Sequence, residues 1–238
     1  MGGTVSLIQA APAGRLIEIE DSLQNTRLQP VEPAAQAVVR PFPGPLTDAA
    51  LVAALRAGRA DAPGLLFERY GNYVERLVVR VLGLDTEVPD LINETFARAL
   101  ERLDKLEDPS ALKAWVGSIA LFTTRTFLRD RRSRRRFLGF FAPEELPEVP
   151  ARETSPEVTF ALHRTYQVLE AFPAEERIAF ALRFIDGMGL NEVADMMGLS
   201  LGTVKRRLTR AQDRFVRIAE RDPVLRERVQ HSERWGKP

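Results

Sequence analysis

Lys205, Arg206, Arg207 and Arg210 crowd into the stretch GLSLGTVKRRLTRAQDRF, residues 198 to 215, with Ser200 and Thr203 just ahead of them. Lysine and arginine offer donors and no acceptor, and the hydroxyls add short polar arms. Such a set binds phosphates and base edges and neither abstracts protons nor attacks bonds. The spacing decides which way these groups face. Val204, Leu208, Ala211 and Phe215 recur at i, i+4, i+7 and i+11, which predicts the buried stripe of a helix. That leaves Lys205, Arg206, Thr209, Arg210 and Gln212 outside, with Arg207 at the margin. Gly202 and Thr203 stand at the start of the helix, where backbone N–H groups favour an anion.

A second run of cations lies in TRTFLRDRRSRRRF. Arg125, Arg129, Arg132 and Arg136 fall on one helical face, and Arg131, Arg134 and Arg135 widen the band. Trp115, Ile119, Phe122 and Thr126 follow a separate face that can pack inward. Crowded like charges destabilise a helix unless an anion lies nearby. The whole chain of 238 residues carries a formal charge of only +1, so the cations are placed locally rather than spread.

The residues that would do catalytic chemistry are missing. The chain has no cysteine and two histidines, His163 and His231, far apart. This excludes a disulfide framework and a thiolate zinc site, and argues against a Ser-His-Asp triad. No phosphate loop or nucleophile–base pair is visible, so the expectation is a non-enzyme with no cofactor and no metal. The N-terminus lacks the basic start and apolar core of a signal peptide, and no apolar run reaches a membrane span. A soluble, cytoplasmic protein without membrane insertion is expected.

The elements that must position the cations are helices throughout. Residues 1 to 46 are punctuated by prolines and read as a disordered extension, with RLIEIE at most a short strand. Thr47 or Asp48 can cap a helix that Gly58 ends. GLLFERYGNYVERLVVRVLG has Leu66, Tyr70, Tyr73, Leu77 and Val81 at helical spacing, with a break possible at Gly71. DLINETFARALERL places Ile92, Phe96, Ala99, Leu100 and Leu103 on one face, and a long helix from Ala111 to about Phe137 has Ser110 as its candidate cap. Residues 139 to 155, rich in proline and glutamate, form an acidic linker. The fold class is all-α, two small helical domains at 47–138 and 156–222, followed by a charged tail at 223–238. In the second domain Leu190, Val193, Ala194 and Met197 form one apolar face, Gly198 supplies a left-handed turn and Ser200 caps the next helix. Two short helices joined by a glycine turn, the second exposing cations, is the helix-turn-helix arrangement. A solvated basic helix would carry the same cations; the turn, cap and apolar register favour the DNA reader.

In this order and spacing the motifs resemble the extracytoplasmic-function (ECF) sigma factors, the two-domain form of the bacterial housekeeping sigma family. TDAALVAALRAGRADAPGLLFERYGNYV is similar to the family's opening helices. PDLINETFARALERL is similar to its acidic polymerase-binding helix, with Asn93 where glutamine is usual. AWVGSIA and the arginine-rich helix end resemble the segment that meets the −10 element, and GLSLGTVKRRLTRA the helix that reads the −35 element. The resemblance covers about residues 47 to 222.

The resemblance implies a protein that binds core RNA polymerase and directs initiation at specific promoters. Asp90, Leu91, Asn93, Glu94 and Phe96 would dock on the clamp helices of the polymerase largest subunit. The loop DKLEDPSALK with Lys113, and Arg125, Arg129, Arg131, Arg132, Arg135 and Arg136, would hold the −10 strand. Ser200, Gly202, Thr203, Lys205, Arg206, Arg207 and Arg210 would read −35 DNA while the second domain sits on the flap of the other large subunit. The linker would thread the RNA path, and an anti-sigma factor or other inhibitor is an expected partner. Phe122 and Thr126 depart from the family's asparagine and aspartate beside the −10 surface. Energetics agree that a large partner is needed. Opening about ten base-pair steps costs on the order of 14 kcal/mol, against about 4–10 kcal/mol of specific binding energy for a small reader. The rival readings are a helix-turn-helix regulator that acts without polymerase, and a sigma-like adaptor that does not initiate.

Overall fold

The computed structural model describes residues 47–138 and 156–230. The expectations for residues 1 to 46, the linker and the last residues fall outside that range, as do the side chains of Arg135 and Arg136. Among the described residues every regular element is helical.

Helix α1 (Asp48–Arg56) begins where the Thr47 hydroxyl accepts the Ala50 N–H at 3.1 Å. Helix α2 (Ala62–Leu82) opens on Pro63, whose missing N–H costs nothing in a first turn. It runs unbroken through Gly71, because Leu66, Tyr70, Val74, Leu77, Val78 and Val81 keep one buried stripe across that position. The break expected there is absent. Helix α3 (Val88–Glu101) follows, then two 3₁₀ turns, Leu103–Lys105 and Pro109–Ala111. The Asp108 carboxylate, not Ser110, caps this approach to the long helix. It accepts the Ser110 N–H at 2.8 Å and the Ser110 hydroxyl at 2.6 Å. Helix α4 (Leu112–Leu138) is the longest element.

The second domain comprises α5 (Pro156–Glu170), α6 (Ala174–Phe180) running into a π-helical turn at Ala181–Ile185, α7 (Leu190–Met197) and α8 (Leu201–Ala219). The tail adds α9 (Pro223–Gln230), which buries Leu225. Helix α8 ends at Ala219, ahead of Pro223, and Asp222 starts α9 by accepting the N–H groups of Val224 and Leu225.

Ile178, Leu182, Val193, Met197, Val204 and Leu208 of the second domain share one hydrophobic core with Leu66, Val78, Leu91, Val116 and Leu121 of the first. A smaller core of Tyr166, Leu169, Phe172, Phe180, Phe215 and Leu225 holds α5, α6, α8 and α9 together. Helix α4 packs against α6 and α7, so the arginine band of the first domain lies beside the second. Each apolar group removed from water at this seam favours the closed arrangement.

Candidate nucleic-acid interface

The bend before the basic helix is built as its residues dictate. Gly198 sits at φ 63°, ψ 41°, a left-handed conformation that a side chain would disfavour. The Glu192 carboxylate accepts the Gly189 N–H at 2.6 Å at the start of α7. Ser200 caps α8, its hydroxyl accepting the Thr203 N–H at 3.3 Å and lying 3.0 Å from the Thr203 hydroxyl. Val204, Leu208, Ala211 and Phe215 are all buried, as their spacing requires. That fixes the rotation of α8 and leaves Gly202, Lys205, Arg206, Thr209 and Arg210 exposed along one side, with Thr203 half-buried. Arg206 reaches the Thr203 hydroxyl at 3.4 Å, a long contact that does not hold it.

Arg207 behaves differently. It is half-buried and donates to Glu175 at 2.8 Å. The same carboxylate accepts from Arg129 at 2.6 Å, and Arg125 Nε stands 3.6 Å away. One carboxylate on α6 thus draws together two arginines of α4 and one of α8. Arg125 Nε is buried and has no hydrogen-bond acceptor in the structure. Three cations on one anion leave the cluster with net positive charge.

The other members of the −10 band divide. Arg131 is mostly buried and pairs with Asp85, with Glu170 at 4.0 Å and the Phe127 ring 5.1 Å away. It is a seam residue in this conformation rather than the free DNA contact that its sequence position suggests. Arg129 and Arg134 are exposed and Arg132 is half-buried. Lys113 is exposed, its ammonium 5.2 Å from the Tyr73 ring centre. Phe122 does not pack inward as its face predicts. Its ring is 40 % exposed, with the guanidinium groups of Arg98 and Arg102 each 5.5 Å from its centre. Thr126 donates to Phe122 O at 3.0 Å.

On α3 the expected docking set splits by orientation. Asp90, Asn93 and Glu94 are exposed, and Glu94 accepts from Arg98 at 2.9 Å. Leu91 and Phe96 are buried, the latter with its ring centre 4.9 Å from that of Phe67. They shape the helix and cannot touch a partner in this conformation. Sequence reading misses Gly83, Asp85, Tyr166, Glu175 and Arg177. All lie at the seam, and the residues they meet are tens of positions away in the chain. Among the described residues no helix is long and apolar enough to cross a membrane.

The family profile described as Sigma-70 region 2 matches residues 66–135, and Sigma-70, region 4 matches residues 162–213. The chain is 31% identical over 179 residues to the ECF RNA polymerase sigma-E factor of Escherichia coli (strain K12), covering 71% of this chain and 92% of that protein. The protein of the same name from Haemophilus influenzae is 26% identical over 176 residues, covering 71% and 93%. Among solved structures, the sigma factor RpoE bound to the anti-sigma factor NepR from Bartonella quintana superposes with a TM-score of 0.50 at 23% identity, covering 68% of this chain and 99% of that one. With region 2 and region 4 in order and a relative of this similarity matched over nearly its full length, the chain belongs to the ECF sigma factor family.

Proposed function

We propose that this protein is an alternative sigma factor that joins core RNA polymerase and directs initiation at promoters it recognises through two elements. The observation that carries the reading is the register of α8. Its apolar stripe is buried to the last residue while Lys205, Arg206 and Arg210 stand free of the fold just beyond a capped glycine turn. Cations held in that pose on a helix-turn-helix enter a major groove and meet phosphates and guanine edges. Ser200, Gly202 and Thr203 present the helix start to the backbone of the −35 element.

The exposed edge of α3, with Asp90, Asn93 and Glu94, docks on the clamp helices of the polymerase, and Leu91 and Phe96 hold that edge in shape from behind. Lys113, Arg132, Arg135 and Arg136 meet the −10 strand, joined by Arg125, Arg129 and Arg131 once their carboxylate partners release them, and Arg207 joins the −35 contacts on its release from Glu175. The second domain rests on the polymerase flap. The protein contributes no catalytic group; the polymerase makes the phosphodiester bonds. The site of action is the cytoplasm, where promoter and polymerase meet, and an anti-sigma factor of the kind bound to the Bartonella quintana protein is a partner class for the closed form.

Run-off transcription with core polymerase on a randomised promoter library tests the reading. Transcripts that depend on the protein and share two spaced upstream elements are expected. Absence of any dependent transcript, or binding to palindromic DNA without polymerase, would replace the sigma reading with that of a free regulator.

A further inference from the structure

A large apolar side chain left in water on a helix needs a reason only when its neighbours are arranged around it. Phe122 of α4 is 40% exposed, although Leu121, Thr123 and Thr124 beside it are buried. It lies where α3 packs along α4, and the guanidinium groups of Arg98 and Arg102, from the last turn of α3 and its cap, each stand 5.5 Å from its ring centre. The ring quadrupole attracts a cation on its face, so these two charges are gathered at the ring. Arg98 also donates to Glu94 at 2.9 Å, while Arg102 is exposed and pairs with no carboxylate among the described residues. The turns of α4 on either side of the ring carry small hydroxyl residues. Ser118 donates to Trp115 O at 2.7 Å and Thr126 to Phe122 O at 3.0 Å, so both protons are spent on the helix's own backbone. The ring stands clear between short side chains, with cations beside it and no hydroxyl proton left to reach outward.

Such a surface offers a flat apolar face and positive charge, with almost no hydrogen-bonding pattern. Duplex DNA cannot use the face, because its bases are stacked on one another. An unpaired base can, and every base has a π-face, so stacking on an aromatic ring tolerates any sequence. We propose that Phe122 is the stacking platform for one unpaired base of the opened −10 strand, with Arg98 and Arg102 meeting the phosphates beside that base. The inference rests on the sigma reading, which brings the strand to α4, and adds to it the contact residues of α3 and the mode of recognition. The asparagine that the family carries at this place would offer a base edge both a donor and an acceptor, and a phenyl ring offers neither. This chain therefore holds that nucleotide without choosing its base, and gains the contact only once the pair has opened.

The test uses the holoenzyme and a promoter selected in the run-off assay, prepared with its −10 region held open by mismatches. An abasic nucleotide, which keeps the phosphate and lacks the base, is walked along the open non-template strand. At one position the abasic change and Phe122→Leu are each expected to weaken binding by about five- to hundredfold, the range for stacking one base on an aromatic ring. Together at that position they should weaken it no further than either alone, because both remove the same contact. Phe122→Trp should retain both the binding and the coupling. Arg102→Ala should lower the slope of log affinity against log salt by about 0.7, the value for one single-strand phosphate, whereas Phe122→Leu should leave the slope as it is. Helical circular dichroism checks that the leucine variant folds, and Phe122→Asn carries the same cycle if it does not. Losses that multiply at every position would overturn the stacking, as would a strong preference for one base at the coupled position. A Phe122→Leu variant with a lowered salt slope would also overturn it, since the ring would then act through the arginines. An unchanged slope in Arg102→Ala would overturn the phosphate contact. Failure of the wild-type holoenzyme to bind the open promoter at all would strike the sigma reading, and this inference with it.

Discussion

Gly83 and Tyr166 sit so close that a Cβ built on the glycine would lie 2.9 Å from the tyrosine ring. Gly83 is also at φ 78°, ψ −156°, a region essentially closed to residues with a side chain. One position thus terminates α2 and admits a ring from a different domain. Gly83→Ala is expected to suffer twice, from backbone strain and from displacement of the ring. The strain alone is worth about 1–3 kcal/mol. Calorimetric unfolding should show a lowered melting temperature, and energy transfer between dyes placed on the two domains should fall at temperatures where both remain helical. An alanine variant that melts and transfers energy as the wild type does would mean that the ring is free to move aside.

Arg206 and Arg210 are exposed, and among the described residues no carboxylate is paired with either. Their replacement should therefore leave stability alone and affect DNA. Each bidentate contact between an arginine and a guanine is worth about 1–3 kcal/mol. Arg206→Ala with Arg210→Ala is expected to weaken holoenzyme binding to the selected promoter at least tenfold and to relax base preference at the −35 element only. Footprinting of promoters with single substitutions in each element separates these effects. Equal loss at both elements would point to a general electrostatic role for the pair.

Glu94 and Phe96 lie two residues apart on α3 with opposite orientations, so exchanging them tests different things. Glu94→Lys reverses an exposed charge and forfeits a surface pair with Arg98 worth less than about 1 kcal/mol. Melting should hardly change while co-purification with core polymerase falls. Phe96→Ala empties a buried site and should cost about 3–5 kcal/mol of stability. If Glu94→Lys still co-purifies fully with core polymerase, the docking edge lies elsewhere on the first domain.

The helix-turn-helix is legible in the sequence because everything that shapes it is local. Gly198, Ser200 and the stripe from Val204 to Phe215 act over at most a few turns, and each forms as its residue type requires. The docking helix is half legible. A motif records which residues recur, not which way each faces, so Leu91 and Phe96 pass for contacts until the ring of Phe67 is seen beside Phe96. Gly71 reads as a break because helix propensity is counted residue by residue, whereas the buried stripe on either side decides the outcome. The seam is illegible. The bond from Arg177 to Val81 O spans 96 positions, and an arginine in a sequence reads as a solvated cation. Nothing in the pattern of α6 says that one of its charges will be buried against the end of another helix. For the same reason Glu175 passes unnoticed, although it decides where three of the predicted DNA contacts point.

Asp222 joins three elements through one carboxylate, and its charge can be titrated. One oxygen accepts the N–H groups of Val224 at 2.9 Å and Leu225 at 3.1 Å, and the other accepts from Arg164 of α5 at 2.9 Å. Burial pushes the carboxyl up, but Arg164 and the two backbone donors pull it further down, to a net value below the ordinary 3.8. A carboxyl whose pKa is depressed by folding stabilises the fold above its unfolded pKa, and this contribution fades as pH falls through the folded value. The junction of α5, α8 and α9 is therefore expected to be fully held at neutral pH and to weaken below about pH 3.8. Asp222→Asn keeps an oxygen for the helix start but forfeits the charge. A hydrogen bond to a charged group exceeds a neutral one by about 1 kcal/mol, and the variant should be less stable by that amount at pH 7. Urea unfolding of both proteins at pH 7, 5 and 3 checks the sign, since the gap between them must persist from pH 7 to 5 and narrow by pH 3. A gap that stays constant down to pH 3 would assign the loss to packing of the amide rather than to the missing charge.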